Sequence, residues 1–183
     1  MAKIEPLSRE EASDEQRRVG DPIFDVRGGG YGGPFGVLLH YPELAEHADH
    51  YGTFVRQGAT LPKRLSELVI AMTARHWTAR FEWSAHYPQA RSHGLGADIL
   101  ESIRRRERPV FAHDDEEIVY DYVTELYANR GISDDVHARA TEAFGETGVI
   151  GIVAIAGWYT SVALVCNAFD VDVTDGAPPP LPD

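Results

Sequence analysis

The most informative part of the chain is residues 65–86, which read LSELVIAMTARHWTARFEWSAH. Apolar residues recur there at helical spacing, and two acids and a histidine interrupt them: Glu67, Glu82 and His86. Glu82 and His86 are four residues apart, so on a helix they lie on one face and can touch. Glu67 lies about four turns upstream. A break between the two parts would bring two helices together at one pocket.

Helical patterns continue on both sides of this stretch. A helix of about 15 residues is predicted after Pro42. The helix that carries Glu67 is expected to begin at a Thr60 cap, with Pro62 in its first turn. The next helix should bend at Pro88, because proline lacks the N–H that would bond one turn back.

Further helices are predicted in the second half of the chain. The expected segments are residues 97–106, 114–131, 133–144 and 148–169. Asp114 and Glu117 resemble a capping box for the second of these, and Ser133 is the expected cap of the third. No stretch alternates polar and apolar residues between turns, so the predicted fold class is all-α.

The N-terminal part is less regular. Residues 1–27 are polar and weakly patterned, and residues 28–36 read GGGYGGPFG, which is not expected to form a regular helix. No apolar strand precedes this loop and no Gly-Lys-Ser/Thr follows it, so a connector or pocket wall is favoured over a phosphate loop. We divide the single predicted domain into an N-terminal extension (1–39), a helical region (40–172) and a proline-rich tail (173–183).

Composition excludes several classes of partner. The chain has 17 basic and 29 acidic residues among 183, a net charge of −12, which disfavours nucleic acid and anionic membranes as partners. The single cysteine, Cys166, allows no intrachain disulfide and no Cys-x-x-Cys pair.

The chain is expected to be cytoplasmic, because the N-terminus lacks the apolar core of a signal peptide. The uncharged segment 148–169 is long enough to cross a membrane. It contains polar residues and has acidic flanks, so it is interpreted as a core helix that is also buried against another subunit.

Glu67, Glu82 and His86 are the candidate catalytic residues. A glutamate in an apolar helix is costly unless it is solvated, paired or protonated. Glu82 beside His86 would place a carboxylate against an imidazole, which suits general acid–base catalysis. The alternatives stay open at this point: a solvated Glu67 at a helix start and an exposed Glu82–His86 ion pair.

Nearby residues supply candidates for substrate binding. Arg75 could hold an anionic group, and Trp83 and His93 could line the pocket. Packing or surface roles are the alternative for each of the three. The spacing of His86, His93 and Glu82 matches no specific metal motif, so no metal and no cofactor are predicted.

The order of these residues resembles the carboxymuconolactone decarboxylase superfamily, which also contains the alkyl hydroperoxidases of the AhpD type. The resemblance covers roughly residues 40–170 and rests on the segment 66–72, the spacing of Glu67, Glu82 and His86, and Ser-His-Gly-Leu at 92–95. It implies an AhpD-like helical bundle that forms a homo-oligomer. In the peroxidase branch, two cysteines occupy the positions that here are Ala79 and Glu82, so thiol chemistry has no mechanism in this chain.

The decarboxylase branch matches at Glu67, Glu82 and His86. The match implies a decarboxylase or related acid–base enzyme that needs no metal or cofactor and acts on a small carboxylated lactone or aromatic-derived acid. In this interpretation Glu82 tunes His86, which donates or shuttles the proton, and Glu67 is its partner or a second acid–base group. Two alternatives remain: a thiol-independent peroxidase or antioxidant protein, and a non-catalytic binding or scaffold protein.

Overall fold

The computed structural model describes residues 2–27, 30–57, 61–173 and 178–182. These ranges form eight α-helices and contain no β-strand, which confirms the predicted all-α class. The helices are α1 (Asp14–Arg27), α2 (Gly33–Leu38), α3 (Pro42–Gln57), α4 (Lys63–Trp77), α5 (Arg80–Ser92), α6 (Ala97–Arg105), α7 (Asp114–Asn129) and α8 (Asp134–Phe169).

Helix α4 lies at the centre of the fold. Every residue from Leu65 to Arg75 is buried, and the helix packs against α5, α6, α7 and α8. A helix that is covered on all sides needs apolar residues all round, which explains the run Leu68-Val69-Ile70-Ala71-Met72. The polar residues between Leu65 and Arg75 are therefore buried as well, and each of them requires a partner or a function.

The predicted break between Glu67 and Glu82 lies at Thr78. This residue caps α4 in the left-handed conformation, with φ +49°, and the N–H of Ala79 bonds to the carbonyl of Ala74 at 2.8 Å. The chain then turns directly into α5, which packs back against α4. Two helices thus converge as the sequence predicted.

The N-terminal part is more regular than its sequence pattern indicated, and the expectation of no regular helix in the glycine-rich segment was wrong from Gly33 onward. The polar segment 1–27 contains α1, whose Val19 and Ile23 enter the main core. The glycine-rich segment also becomes helical from Gly33, because Pro34 suits a first helical turn. Gly36 is needed for close packing, since a Cβ there would lie 2.7 Å from Cβ of Pro6. Gly28 and Gly29 lie outside the described residues.

Several predicted helix ends differ from the structure. Helix α4 has Pro62 at its N-cap, and Thr60 lies outside the described residues. Helix α7 begins at Asp114 with no side-chain cap, so the predicted capping box is wrong. Ser133 does occupy the N-cap of α8, but its hydroxyl donates to Glu125 at 3.1 Å. Pro88 lies inside α5, as expected.

Helix α8 has the break that the sequence predicted. Gly145 has φ +67° and ψ 170°, which interrupts the helix before its apolar part. By length and composition α8 could cross a membrane, with a mean hydropathy of 2.1 in its most apolar window. A core helix meets the same criterion, and α8 packs against α2, α3, α4, α5 and α7. The homo-oligomer and the cytoplasmic location stay predictions, as do the boundaries at residues 39 and 172.

Candidate active site

Helices α4 and α5 bring Glu67 and His86 together. Nδ1 of His86 lies 3.0 Å from Oε2 of Glu67, and the two side chains are 14% and 7% exposed. An ionised carboxylate only accepts hydrogen bonds, so Nδ1 carries a proton in this pair. Nε2 forms no hydrogen bond within the described part of the chain. The neutral ring can therefore accept a proton at Nε2, while Glu67 holds its orientation.

The predicted hydrogen-bonded pair of Glu82 and His86 is wrong. Glu82 is 1% exposed, and neither of its carboxyl oxygens has a hydrogen-bond partner among the described residues. Helical spacing places the two residues on one side of α5. Because α5 packs on α4, the imidazole of His86 forms its hydrogen bond with Glu67 instead.

Burial raises the pKa of Glu82 well above its ordinary value. The residue lies in the first turn of α5, where the helix dipole favours a negative charge by up to about 1 kcal/mol at exposed sites. Burying an unpaired carboxylate costs several kcal/mol, so the burial effect exceeds the dipole effect. The favoured form in the folded protein is the neutral acid, which can donate a hydrogen bond or a proton.

Glu82 and His86 both line a cavity of about 790 Å³. Its walls come from α1, the segment 30–35, the end of α3, α5 and α8. Six of the lining side chains are aromatic: Phe24, Tyr31, Phe35, Phe81, Trp158 and Tyr159. The rings of Tyr159 and His86 are nearly perpendicular, with centroids 4.9 Å apart. Such a cavity suits a small, flat and largely apolar molecule.

Glu67 faces a smaller neighbouring cavity of about 160 Å³. Three residues line both cavities: Arg56, Gln89 and Tyr159. The pair of Glu67 and His86 thus lies where the two cavities adjoin.

Arg56 is a site residue that the sequence analysis missed. It lies in the last turn of α3, and the structure shows no ion pair between its guanidinium and a described residue. An arginine at the C-terminus of a helix is ordinary, because it complements the helix dipole. The sequence therefore carried no signal that this arginine faces the same cavity as His86.

The three predicted substrate-binding residues lie away from the large cavity. Arg75 lines a separate cavity. Trp83 is 2% exposed in the core, and its indole N–H donates to the carbonyl of Pro179 at 3.1 Å. His93 is exposed beside Glu67, and its Nδ1 bonds to the carbonyl of Gln89 at 2.8 Å. Their role in substrate binding stays a prediction.

The site contains no reactive thiol. Cys166 is buried, and burial raises the pKa of its thiol to about 12, with a smaller contribution from Glu82 once that acid is ionised. At neutral pH the thiolate that attacks a peroxide is therefore rare. Within the described ranges, no three histidine, cysteine, aspartate or glutamate residues are close enough to hold a metal ion.

The fold is that of AhpD-like proteins, as comparison with solved structures shows. No protein-family model and no curated protein matches the sequence. An uncharacterised peroxidase-related protein from Silicibacter sp. TM1040 superposes with a TM-score of 0.77 at 13% identity, covering 96% of this chain and 93% of that one. The debrominase Bmp8, in complex with 2,3,4-tribromopyrrole, gives 0.75 at 13% identity over 94% and 91%. At this identity the similarity shows the fold alone.

Proposed function

We propose that this chain is an enzyme that decarboxylates a small carboxylated lactone or aromatic-derived acid, or performs a closely related proton transfer on it. The observation that carries the proposal is the meeting of two complementary groups at one cavity. His86, held by Glu67, can take up and return a proton at Nε2. Glu82 supplies a neutral acid on the same wall.

The proposed reaction needs only these groups. The bond between the carboxyl carbon and the substrate carbon breaks, and its electron pair moves into the conjugated carbonyl as carbon dioxide leaves. Glu82 donates a hydrogen bond to the oxyanion that develops on that carbonyl. The protonated Nε2 of His86 then delivers a proton to carbon, and Glu67 stabilises the imidazolium that precedes this step. The net reaction consumes one proton from water and releases carbon dioxide.

Arg56 would hold the carboxylate of the substrate before it leaves. Its guanidinium faces the cavity that His86 lines. A guanidinium binds the two oxygens of a carboxylate as a pair, which fixes the direction of the bond that breaks. The aromatic walls would hold the flat apolar part of the substrate. The tribromopyrrole in the debrominase structure is also a small aromatic ring, which agrees with a ligand of this class.

The state of Glu82 favours a catalytic role over a scaffold role. A residue that only holds helices together would gain from a partner, yet both oxygens of Glu82 lack one among the described residues. Unpaired buried acids with shifted pKa values concentrate at functional sites. The peroxidase alternative lacks a group in this cavity that can attack a peroxide, because Cys166 does not line it and its thiol stays protonated.

The test is turnover of the purified, metal-stripped protein against a panel of carboxylated unsaturated lactones and aromatic acids. Carbon dioxide release and ultraviolet absorbance are followed in H₂O, and the product is analysed after reaction in D₂O. We expect release with at least one member and deuterium at the carbon that lost the carboxylate, because the proton reaches carbon from a group that exchanges with water.

The matched control is His50→Gln, which changes an exposed histidine on α3. His86→Gln should abolish release, and His50→Gln should leave it intact. Release that persists in His86→Gln would remove this histidine from the mechanism. A complete lack of release by the wild-type protein across the panel would reject decarboxylation of this substrate class.

A further inference from the structure

A second cavity lies on the other side of α4. It has a volume of about 260 Å³ and is bounded by α4, α7 and the end of α6. None of its lining residues is shared with the large cavity. Two guanidinium groups face it, those of Arg75 and Arg106, together with His76, whose pKa is lowered by burial and by Arg106. Their concentration is notable in a chain with a net charge of −12.

Arg75 is buried without a counterion among the described residues. It is 5% exposed, and its Nε has no hydrogen-bond partner in the described part of the chain. Its Nη1 donates to the hydroxyl of Thr78 at 3.1 Å. The charges that act on it are positive: burial lowers the pKa of Arg75, and Arg106 and Arg104 lower it further. Arginine keeps its proton even so, because its ordinary pKa is very high.

Arg106 and His76 border this cavity together with Arg75. Nη2 of Arg106 lies 3.5 Å from the Thr78 hydroxyl that also binds Arg75. His76 stacks on the ring of Tyr127, with centroids 4.2 Å apart and an angle of 13°. Glu107 lines the cavity too, but no ion pair joins it to either guanidinium.

Two other arginines that pack against neighbouring helices form ion pairs with acidic side chains. Arg64 binds Asp115 and Glu116, and Arg108 binds Glu117 and Asp121. The sequence thus supplies counterions where a guanidinium has a structural role. Arg75 is more buried than these residues and lacks one. A charge of this kind is costly unless an anion from outside the described chain neutralises it.

We propose that this second cavity binds a small oxyanion, a carboxylate or phosphate group carried on a compact organic body. Nη1 of Arg75 is held by Thr78, which leaves the Nε and Nη2 donors of the guanidinium for two parallel hydrogen bonds to the ligand. Arg106 adds a second positive charge. Met72, Ile103 and the ring of Tyr127 provide apolar contact for the rest of the ligand.

The test is binding of two probe anions, phosphate and benzoate, to the full chain. Calorimetry and thermal unfolding are compared with sodium chloride at equal ionic strength. At least one anion should bind and raise Tm, because it binds the folded state only. Phosphate alone would indicate a phosphate site, and tighter binding of benzoate a carboxylate site.

Three variants locate the site. Arg75→Gln should weaken binding by about tenfold or more, as expected for the loss of charge-assisted hydrogen bonds. Arg75→Lys keeps the charge but loses the two-pronged edge, so it should also weaken binding, and it serves if the glutamine variant does not fold. Arg130→Gln removes an exposed charge that lines neither cavity and should bind like the wild type.

Several results would overturn the proposal. Equal Tm in chloride, phosphate and benzoate would do so, as would unchanged affinity in both Arg75 variants. Absence of anion binding together with dissociation of an oligomer in Arg75→Gln would assign the counterion to a second copy instead. The anion-site proposal and the decarboxylase proposal can fail independently. His86→Gln should bind the anion like the wild type, whether or not the large cavity catalyses a reaction.

Discussion

The large cavity and the second cavity are each lined by a buried ionisable group without a counterion in the described chain, and the two groups differ in how their charge can be neutralised. Glu82 can become neutral by keeping its proton, which agrees with its raised pKa. Arg75 cannot lose its proton at any ordinary pH, so only an anion can neutralise it. The comparison indicates a proton donor in one cavity and an anion site in the other.

The largest effect is expected in turnover at the large cavity. His86→Gln should lower kcat by about 10²–10⁴-fold, the usual contribution of a general acid or base. Glu67→Gln should also lower it, because the amide can turn its NH₂ toward Nδ1 and favour the wrong tautomer. Steady-state kinetics of both variants checks this. Normal kcat in Glu67→Gln would show that the hydrogen bond to His86 has no catalytic role.

The next effect compares a paired with an unpaired arginine. Arg64→Met should lower the free energy of unfolding by about 3 kcal/mol or more, because it leaves the buried Glu116 without its cation. Arg75→Met should leave it unchanged or raise it by about 1 kcal/mol, because no described acid loses a partner. Urea unfolding without added oxyanion measures both. A loss in Arg75→Met as large as that in Arg64→Met would show that Arg75 has a counterion within the protein.

A third prediction concerns the pH dependence of stability at Glu82. A pKa raised above the unfolded value means that the folded state holds more protons, so its stability falls as pH rises from about 4.5 toward the folded pKa. Glu82→Gln removes this loss. The free energy of unfolding of the variant, relative to that of the wild type, should therefore rise by up to about 1.4 kcal/mol for each pH unit in that window. Urea unfolding at pH 5, 6, 7 and 8 measures the gap, and a constant gap would contradict a protonated Glu82.

The smallest effect is expected at an exposed acid, Glu101. Its pKa is lowered, so the pH dependence of its contribution to stability is opposite to that of Glu82. Hydrogen bonds from Arg104, then from Arg105, lower the pKa of Glu101 to about 2. The stability it contributes is present at neutral pH and is lost as pH falls from about 4.5 toward 2. Glu101→Gln should therefore be slightly less stable than the wild type at pH 7, and this difference in the free energy of unfolding should be smaller at pH 3. Urea unfolding at both pH values measures it. A gap that widens in acid would contradict the assigned pairs.

The helices were predictable where one apolar face is long and continuous. The segments around Glu67, Glu82 and Tyr122 carry that pattern, and all are helical. Helix α1 was missed because its polar composition, Gly20 and Pro22 obscure a narrow apolar stripe. Its stability comes from packing on α3, which no local pattern records.

The site was predictable in its residue types and less so in its contacts. Glu82 and His86 line one cavity, but the contact between them that their spacing suggested does not form. The partner of His86 is 19 positions away in the sequence, on a different helix. Arg56 reaches the same cavity from α3, and Arg75 faces away from it. Rotation of one helix against another decides such contacts.

The sequence alone determined the all-helical class, the break between α4 and α5, and the presence of acids and a histidine in an apolar setting, because these follow from local spacing and composition. The tertiary structure decided which acid holds His86, which acid stays neutral and where each arginine points. Those outcomes depend on which groups lose water and which atoms meet across helices, and both are fixed only when the helices pack.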